Sequence, residues 1–425
     1  MKKSTYRTMA VQSVDVLTLL SVIAGRVVLA LDIAKEAMVF AVADSAGKTH
    51  ALVRFSHPKE TSVFLHLAER FRELGREVHA VMEPTGLYGE ALRHQLTLRD
   101  FVVYRVDPKR CHDFRAVLDG VSSQHDAKSC TLIAALHAQG ISSPWRQRSD
   151  TEEQARALVD EHRLYAEPLE VLYGRMEAIT AAAWPELNEM MEQRTSWHLR
   201  LMSKYPCAQD VARHRDEARA VLQHGGRGGL RKERVERVLD TAATTLGVPM
   251  SRGRRIVVQR TAERMLVLRK DVESVEKRLR ELCASDAALG RLAAVVGPVA
   301  ATALFAEVGD PEQYASAGAL EKACGLNLRE ASSGKHKGKL HITKRGSSRV
   351  RHYLYLATLR LILSSSTARA WYERRSAHTA GHKMKAVVAL MRKLVRALFH
   401  VARGAPFQVE KLFDLRRLDN TSRAA

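Results

Sequence analysis

Three features of the sequence predict an α/β domain followed by a mainly helical remainder. β-rich runs alternate with helix-spaced segments between residues 26 and 140. Helical periodicity then continues from 151 to 290. Beyond that, apolar helices flank a Gly/Ser/Lys/Arg loop region. At 425 residues the chain is too long for one small domain. Its 46% apolar content is spread along the chain, which argues against intrinsic disorder.

Residues 1–25 read as an N-terminal extension. Their longest apolar stretch, from Val16 to Ala24, is bracketed by Asp15 and Arg26 and is too short to span a bilayer. With Lys2, Lys3 and Arg7 ahead of it the stretch faintly resembles a signal peptide, but a non-essential extension is the simpler reading. The next domain, 26–150, opens with three β-rich runs: Val27 to Asp32 (VVLALD), Ala37 to Ala43 (AMVFAVA) and His50 to Phe55 (HALVRF). Glu60 to Leu74 places Phe64, Leu67 and Phe71 on one helical face. Val78 to Glu83 predicts a fourth strand, stopped by Pro84, Thr85 and Gly86. Gly89 to Leu96 reads as helix, Phe101 to Val106 as a fifth strand and Ala127 to Ala138 as a closing helix. Three strands, helix, strand, helix, strand, helix is the order of an RNase H-like (RuvC-like) domain, a mixed sheet flanked by helices.

Residues 151–289 form a helical region with two heptad seams. One runs through Ala155, Leu158, His162, Tyr165, Leu169, Leu172, Met176 and Ile179, the other through Met265, Leu268, Val272, Val275, Leu279 and Leu282. They are expected to pair antiparallel as a projecting two-helix coiled coil, with a kink at Pro168. Between them, residues 224–229 (HGGRGG) read as a flexible linker, since a P-loop would need a Lys-Ser/Thr pair and a preceding strand. Residues 290–405 form a second globular domain, and 406–425 a tail. Within it, Leu292 to Glu307 suits either a helix-hairpin-helix, whose Gly297-Pro298 turn would offer amides to a DNA phosphate, or an ordinary tight αα turn.

Charge is unevenly distributed. Lysine and arginine number 68 against 47 acids, a net +21, and residues 321–425 hold 23 basic residues against 6 acidic, a surplus of 17. That surplus calls for a polyanionic partner. Its densest part, Lys335 to Arg351, contains Lys335, Lys337, Lys339, Lys344, Arg345, Arg349 and Arg351 and no acid. The stretch is rich in Gly and Ser and lacks amphipathic anchors, so phosphate contacts are expected in place of a membrane surface. Cys111, Cys130, Cys207, Cys283 and Cys324 are odd in number and widely spaced, which fits reduced thiols in a cytoplasmic protein better than disulfides or a zinc finger.

Three acids stand where chemistry is expected. Asp32 ends the first strand (LDIAK), Glu83 ends the fourth (VMEPTG), and Asp126 opens the last helix of the domain (HDAKSC). Carboxylates at such positions converge on one edge of an RNase H-like sheet, where hard oxygen ligands hold one or two Mg²⁺ ions for phosphoryl transfer.

These motifs resemble those of the DEDD-type insertion-sequence transposases, the family that includes the Piv DNA invertase and the bridge-RNA-guided recombinases. VLALDIAKEAMVFAVAD resembles the first acidic motif, VMEPTGLYGEAL the second and HDAKSCTLIAALHAQG the third. The run from VVGPVAATALFAEVGDPEQYASAGALEKACGLNLREASSG to HKGKLHITKRGSSRVRHYL resembles the C-terminal transposase domain. The resemblance implies Asp32, Glu83 and Asp126 as metal ligands for Mg²⁺, with Mn²⁺ as a substitute, and Ser333 as the nucleophile, Ser332 being the weaker choice. It adds Arg329 and Gly297 to the nucleic-acid contacts. It also implies DNA as substrate, a structured guide RNA as partner, and a homo-oligomer, dimer or tetramer, acting at the nucleoid. A serine hydroxyl is a poor nucleophile and needs deprotonation or metal activation. Metal assistance would therefore require the two domains to meet, within one chain or across the oligomer.

The sequence departs from the family pattern at two places. Aligned on HDAKSCTLIA, Asp126 takes the third acidic position and Ser129 the fourth. In the other register Asp126 is fourth and Ser123 third, and Asp119 matches neither spacing. Val295 also replaces the first glycine of the hairpin. The expected function is a serine-dependent DNA recombinase of the transposase class. The alternatives are an invertase of the same family or a catalytically impaired nucleic-acid-binding descendant.

Overall fold

The computed structural model describes residues 6–84, 86–119, 125–190, 195–223, 229–330, 338, 340–378 and 382–414, with no side chains described for 116–119. The chain divides into two compact units, Met1–Gln147 and Arg148–Ala425.

The first unit is a seven-stranded mixed sheet with helices on both faces. Its elements are β1 (Met9–Ala10), α1 (Val16–Val22), β2 (Val27–Asp32), β3 (Ala37–Ala43), β4 (Thr49–Ser56), α2 (Thr61–Glu73), β5 (Val78–Met82), α3 (Glu90–Leu98), β6 (Val102–Val106), α4 (Pro108–Asp119), α5 (Asp126–Ala138) and β7 (Ser142–Pro144). The sheet order is β1-β4-β3-β2-β5-β6-β7. β3 runs antiparallel to both β2 and β4, while β5 and β6 are parallel to β2. The period of two in β2 explains why VVLALD is apolar throughout. Val27, Leu29 and Leu31 face one core, with Phe40, Phe55 and Phe64. Val28 and Ala30 face the other, beneath Cys130, Ile133 and Ala134 of α5.

Four elements of this unit are new relative to the sequence reading. β1 adds an edge strand beside β4, α1 forms in the segment before β2, β7 adds the other edge beside β6, and α4 follows β6. The segment read as an extension is built into this unit. Asp15 caps α1 through Leu17 N at 3.0 Å, and Val11, Leu19 and Ile23 are buried in the first core.

The second unit contains two 34-residue helices, α6 (Asp150–Ala183) and α12 (Arg252–Ser285), joined by α7 (Pro185–Met190), α8 (Trp197–Lys204), α9 (Ala208–Arg213), α10 (Arg215–Gln223) and α11 (Lys232–Thr244). Arg278 pairs with Glu161 at 2.8 Å and Arg269 donates to Tyr173 Oη at 2.7 Å, so α6 and α12 run antiparallel. Pro168 lies inside α6 without ending it. The pair is not a bare projection: α7 to α11 pack around its far half, in a core with Trp184, Trp197, Met176 and Met265. A separate core joins the near ends of α6 and α12 to α13 (Ala287–Val296), α14 (Pro298–Val308), α15 (Ala317–Ala323), the hairpin β8 (Leu328–Arg329) and β9 (His341–Ile342), α16 (Ser348–Ser364), α17 (Ser366–His378) and α18 (Lys383–Ala402). All five cysteines are free and buried. Among the described residues no helix is long and apolar enough to cross a membrane.

Candidate active site

Strand parity brings the acids together. Asp32 points to the same face as Val28 and Ala30, and Glu83 to the same face as Val81, which is the face covered by α5. In the parallel β2–β5 ladder Leu31 lies opposite Met82, so the next residues, Asp32 and Glu83, leave the sheet side by side. Asp126 is the first residue of α5, just after the cap residue His125, whose Nδ1 accepts from Lys128 N at 3.2 Å.

The electrostatics record this convergence. Burial, then the charges of Asp126 and Glu83, push the Asp32 carboxyl up from 3.8 to about 6, while a hydrogen bond from the Ser129 hydroxyl and the Arg115 guanidinium act in the opposite direction. Burial also raises Glu83, opposed by the thiol of Cys111, which donates to it, and by Arg115. Burial and the Glu83 charge drive the Cys111 thiol up to about 12, so it stays protonated and remains a donor.

The sequence reading missed Cys111, Arg115 and Asp107, which carry the support of this site on and before α4. The segment PKRCHDFRAVLD carries only a short apolar stripe, Cys111, Phe114 and Leu118, set among charged residues, and nothing in it marks these side chains as neighbours of Glu83. Among the described residues no set of three His, Cys, Asp or Glu side chains is already disposed to hold a metal ion. The donor chemistry fits one nonetheless. Partly buried carboxylates, two of which raise the proton affinity of Asp32, are hard oxygen ligands whose repulsion a divalent cation relieves.

Ser332, Ser333, Lys335, Lys337 and Lys339 lie outside the described residues, as do Ser123 and most of the linker 224–229, and the side chain of Asp119 is not described. The segment holding both serines is framed by β8 and β9, where Arg329 pairs with His341. Lys344 follows at φ 54°. Arg349 and Arg351, expected on phosphates, are engaged internally. Arg349 pairs with Asp160 at 2.7 Å and Glu307 at 3.2 Å, and Arg351 donates to Gly346 O at 2.8 Å. Gly297 is the single residue between α13 and α14, at φ 85°. A Cβ there would stand 2.8 Å from Arg360 Nη1, so the tight turn requires glycine.

Two family models match the chain. One, described as Transposase IS116/IS110/IS902 family, covers residues 293–373. The other, a DEDD transposase model of the IS110 group, covers residues 29–178 and so contains Asp32, Glu83 and Asp126. No curated protein matches the chain.

Proposed function

Because the chain belongs to the IS116/IS110/IS902 family of DEDD-type insertion-sequence transposases, we propose that it cleaves and rejoins DNA strands with Ser333 as nucleophile and with an RNase H-like carboxylate site in its first unit. The observation that carries this reading is the convergence of Asp32, Glu83 and Asp126 at adjacent strand ends and a helix start, inside the stretch matched by the transposase model. Asp32, Glu83 and Asp126 would hold Mg²⁺, which supplies charge stabilisation for phosphoryl transfer when bound. Ser333 Oγ forms a bond to phosphorus as the bond from phosphorus to a deoxyribose oxygen breaks. The hydroxyl proton leaves Ser333 and the departing oxygen takes one up. The basic residues around Ser333, Lys335, Lys337 and Lys339 first, neutralise phosphates, and a structured RNA selects the DNA sites for a homo-oligomer of the protein.

Strand exchange by purified protein with the candidate RNA tests this. Ser333→Ala should bind nucleic acid yet form no covalent DNA adduct, and Asp32→Ala should abolish exchange. Normal recombination by Ser333→Ala together with failure of Ser332→Ala would move the nucleophile to Ser332. One observation favours a second reading, a catalytically impaired descendant: a neutral hydroxyl, Ser129, stands where the family pattern has its fourth acid, and it hydrogen-bonds Asp32. Metal-dependent exchange by the natural protein excludes it.

A further inference from the structure

A cleft of about 410 Å³ opens at the carboxyl ends of β5 and β6, lined by Pro84, Arg105, Asp107, Arg110, Ser142 and Ser143 among others. Its size lies within the roughly 300–1,000 Å³ of small-ligand sites. Ligands of open α/β sheets sit beyond the carboxyl ends of the parallel strands, which is where this cleft lies. It adjoins the carboxylates through Pro84, which lines it and follows Glu83 in the chain, while Arg105 leaves β6 on the Met82 face and lines the cleft from the strand end.

The lining is built for an anion. Elsewhere in the unit arginines are tied to glutamates, Arg26 to Glu77 at 2.9 Å, Arg70 to Glu73 at 3.2 Å and Arg99 to Glu69 at 3.0 Å. Arg105 and Arg110 have no such carboxylate among the described residues. Arg105 Nε makes only a long contact, 3.4 Å, to Ser143 Oγ. Asp107, the acid in the lining, turns Oδ1 to the start of α4, where it accepts from Lys109 N at 2.9 Å and Arg110 N at 3.2 Å. Guanidinium groups beside hydroxyls are suited to phosphate oxygens. Among the described residues no aromatic ring lines the cleft, so a base has nothing to stack on, and the backbone is the part of a nucleic acid that fits.

We propose that this cleft holds the phosphodiester backbone of a single nucleic-acid strand leading to the carboxylates, with Arg105 and Arg110 each taking a phosphate. The proposal rests on the nucleic-acid reading above and extends it to a site in the first unit, on a different part of the sequence from the basic C-terminal stretch.

Arginine footprinting of the full chain separates this cleft from the rest of its positive charge. The protein is treated with phenylglyoxal alone, with decathymidylate and with decauridylate, and modified peptides are read by mass spectrometry. Either strand should protect Arg105 and Arg110. Protection by one strand alone identifies DNA or RNA as the occupant, and protection by both makes the shared backbone the determinant. No protection by either strand overturns the proposal, and so does equal protection by inorganic phosphate at the same phosphate concentration. In parallel, the Arg105→Gln, Arg110→Gln double variant should flatten the log–log salt dependence of single-strand binding, by roughly 0.7 for each lost contact. An unchanged slope also overturns the proposal. If the cleft fails these tests while Asp32→Ala still abolishes strand exchange, the carboxylate reading stands without it.

Discussion

Asp32 sits where burial and two neighbouring carboxylates all favour its protonated form, which raises it from 3.8 to about 6. Such a rise corresponds to about 3 kcal/mol of repulsion and desolvation in the ionised state, reduced by solvent screening at this partly exposed position to ~1–2 kcal/mol. The sign follows from linkage. A raised carboxyl holds its proton longer in the fold than in the unfolded chain, so its destabilisation grows as pH rises from 3.8 to 6 and is complete above that. Asp32→Asn, in chelator, should therefore slow hydrogen exchange of the β2 and β5 amides at pH 7.5, and the gain should fade between pH 6 and pH 4. A variant no more protected than the natural protein at pH 7.5 would show that the carboxylates do not repel one another. Ser129 acts on the same group from one turn into α5. Ser129→Asp adds a fourth oxygen ligand and a fourth charge, so it should tighten Mg²⁺ binding, and Mn²⁺ should partly rescue the natural protein. Mg²⁺ titration of strand exchange checks this. No improvement at low Mg²⁺ would remove Ser129 from the fourth position, and full activity of Asp126→Ala would remove the three-acid site.

At the scale of elements, the N-terminal segment shows where sequence reading works and where it stops. Ile23 is fully buried, Val11 and Leu19 pack in the same core, and Tyr6 sets its ring edge-on to His125, the residue before Asp126. Ile23→Ala should destabilise the first unit by about 2–4 kcal/mol, read by denaturant unfolding. A loss below about 0.5 kcal/mol would restore the picture of a dispensable extension. Val16 to Ala24 was too short for its periodicity to say what it covers, because the surface it covers comes from α2 and strands far along the chain. The central strands were legible for the opposite reason. Each is buried on both faces and so is apolar along most of its length, and the alternation that hides Leu31 on one side turns Asp32 to the other. Strand β7 is Ser142, Ser143 and Pro144, with no apolar residue, and its pairing comes from the ladder with β6 alone. The acids of the site were therefore readable as strand and helix ends, whereas Cys111, Arg115 and the cleft of Arg105 and Arg110 depend on where α4 folds back.

For the molecule as a whole, charge and protonation set two expectations. Lysine and arginine exceed acids by 17 in residues 321–425, so nucleic-acid affinity should be steeply salt-dependent. Neutralising Lys335, Lys337 and Lys339 together should lower the log–log slope by roughly 0.9 per lost duplex contact, and an unchanged slope would place these lysines in free solvent. Protonation acts in both units. His137 in the first and His198 in the second are each held down from 6.5 to about 4, chiefly by burial. The cost of charging His137 is visible in its contacts. Ser142 Oγ lies 2.7 Å from its Nδ1, and its Nε2 lies 3.0 Å from His79 Nδ1, while His79 Nε2 lies 2.9 Å from Glu77. With both rings neutral the donors run in one direction, Ser142 to His137 to His79 to Glu77, and every nitrogen is matched. A proton on His137 Nδ1 displaces the Ser142 donor, and a second proton, on His79, sets two cations ring to ring. His198 buries an Nδ1 without a partner, close to the charge of Arg269. A depressed histidine binds fewer protons in the fold than in the unfolded chain, so its stabilisation is fully present above pH 6.5 and is lost as pH falls towards 4. Discounted for solvent screening at its half-exposed position, His137 should contribute ~1–2 kcal/mol across that window, and the more deeply buried His198 about 2–3 kcal/mol. Denaturant unfolding from pH 7.5 to pH 4 should show both units weakening, against the opposite trend of Asp32, and His137→Gln should remove the slope from the first unit alone. If the first unit weakens just as steeply with His137→Gln, the neutral histidine chain is not what its stability depends on.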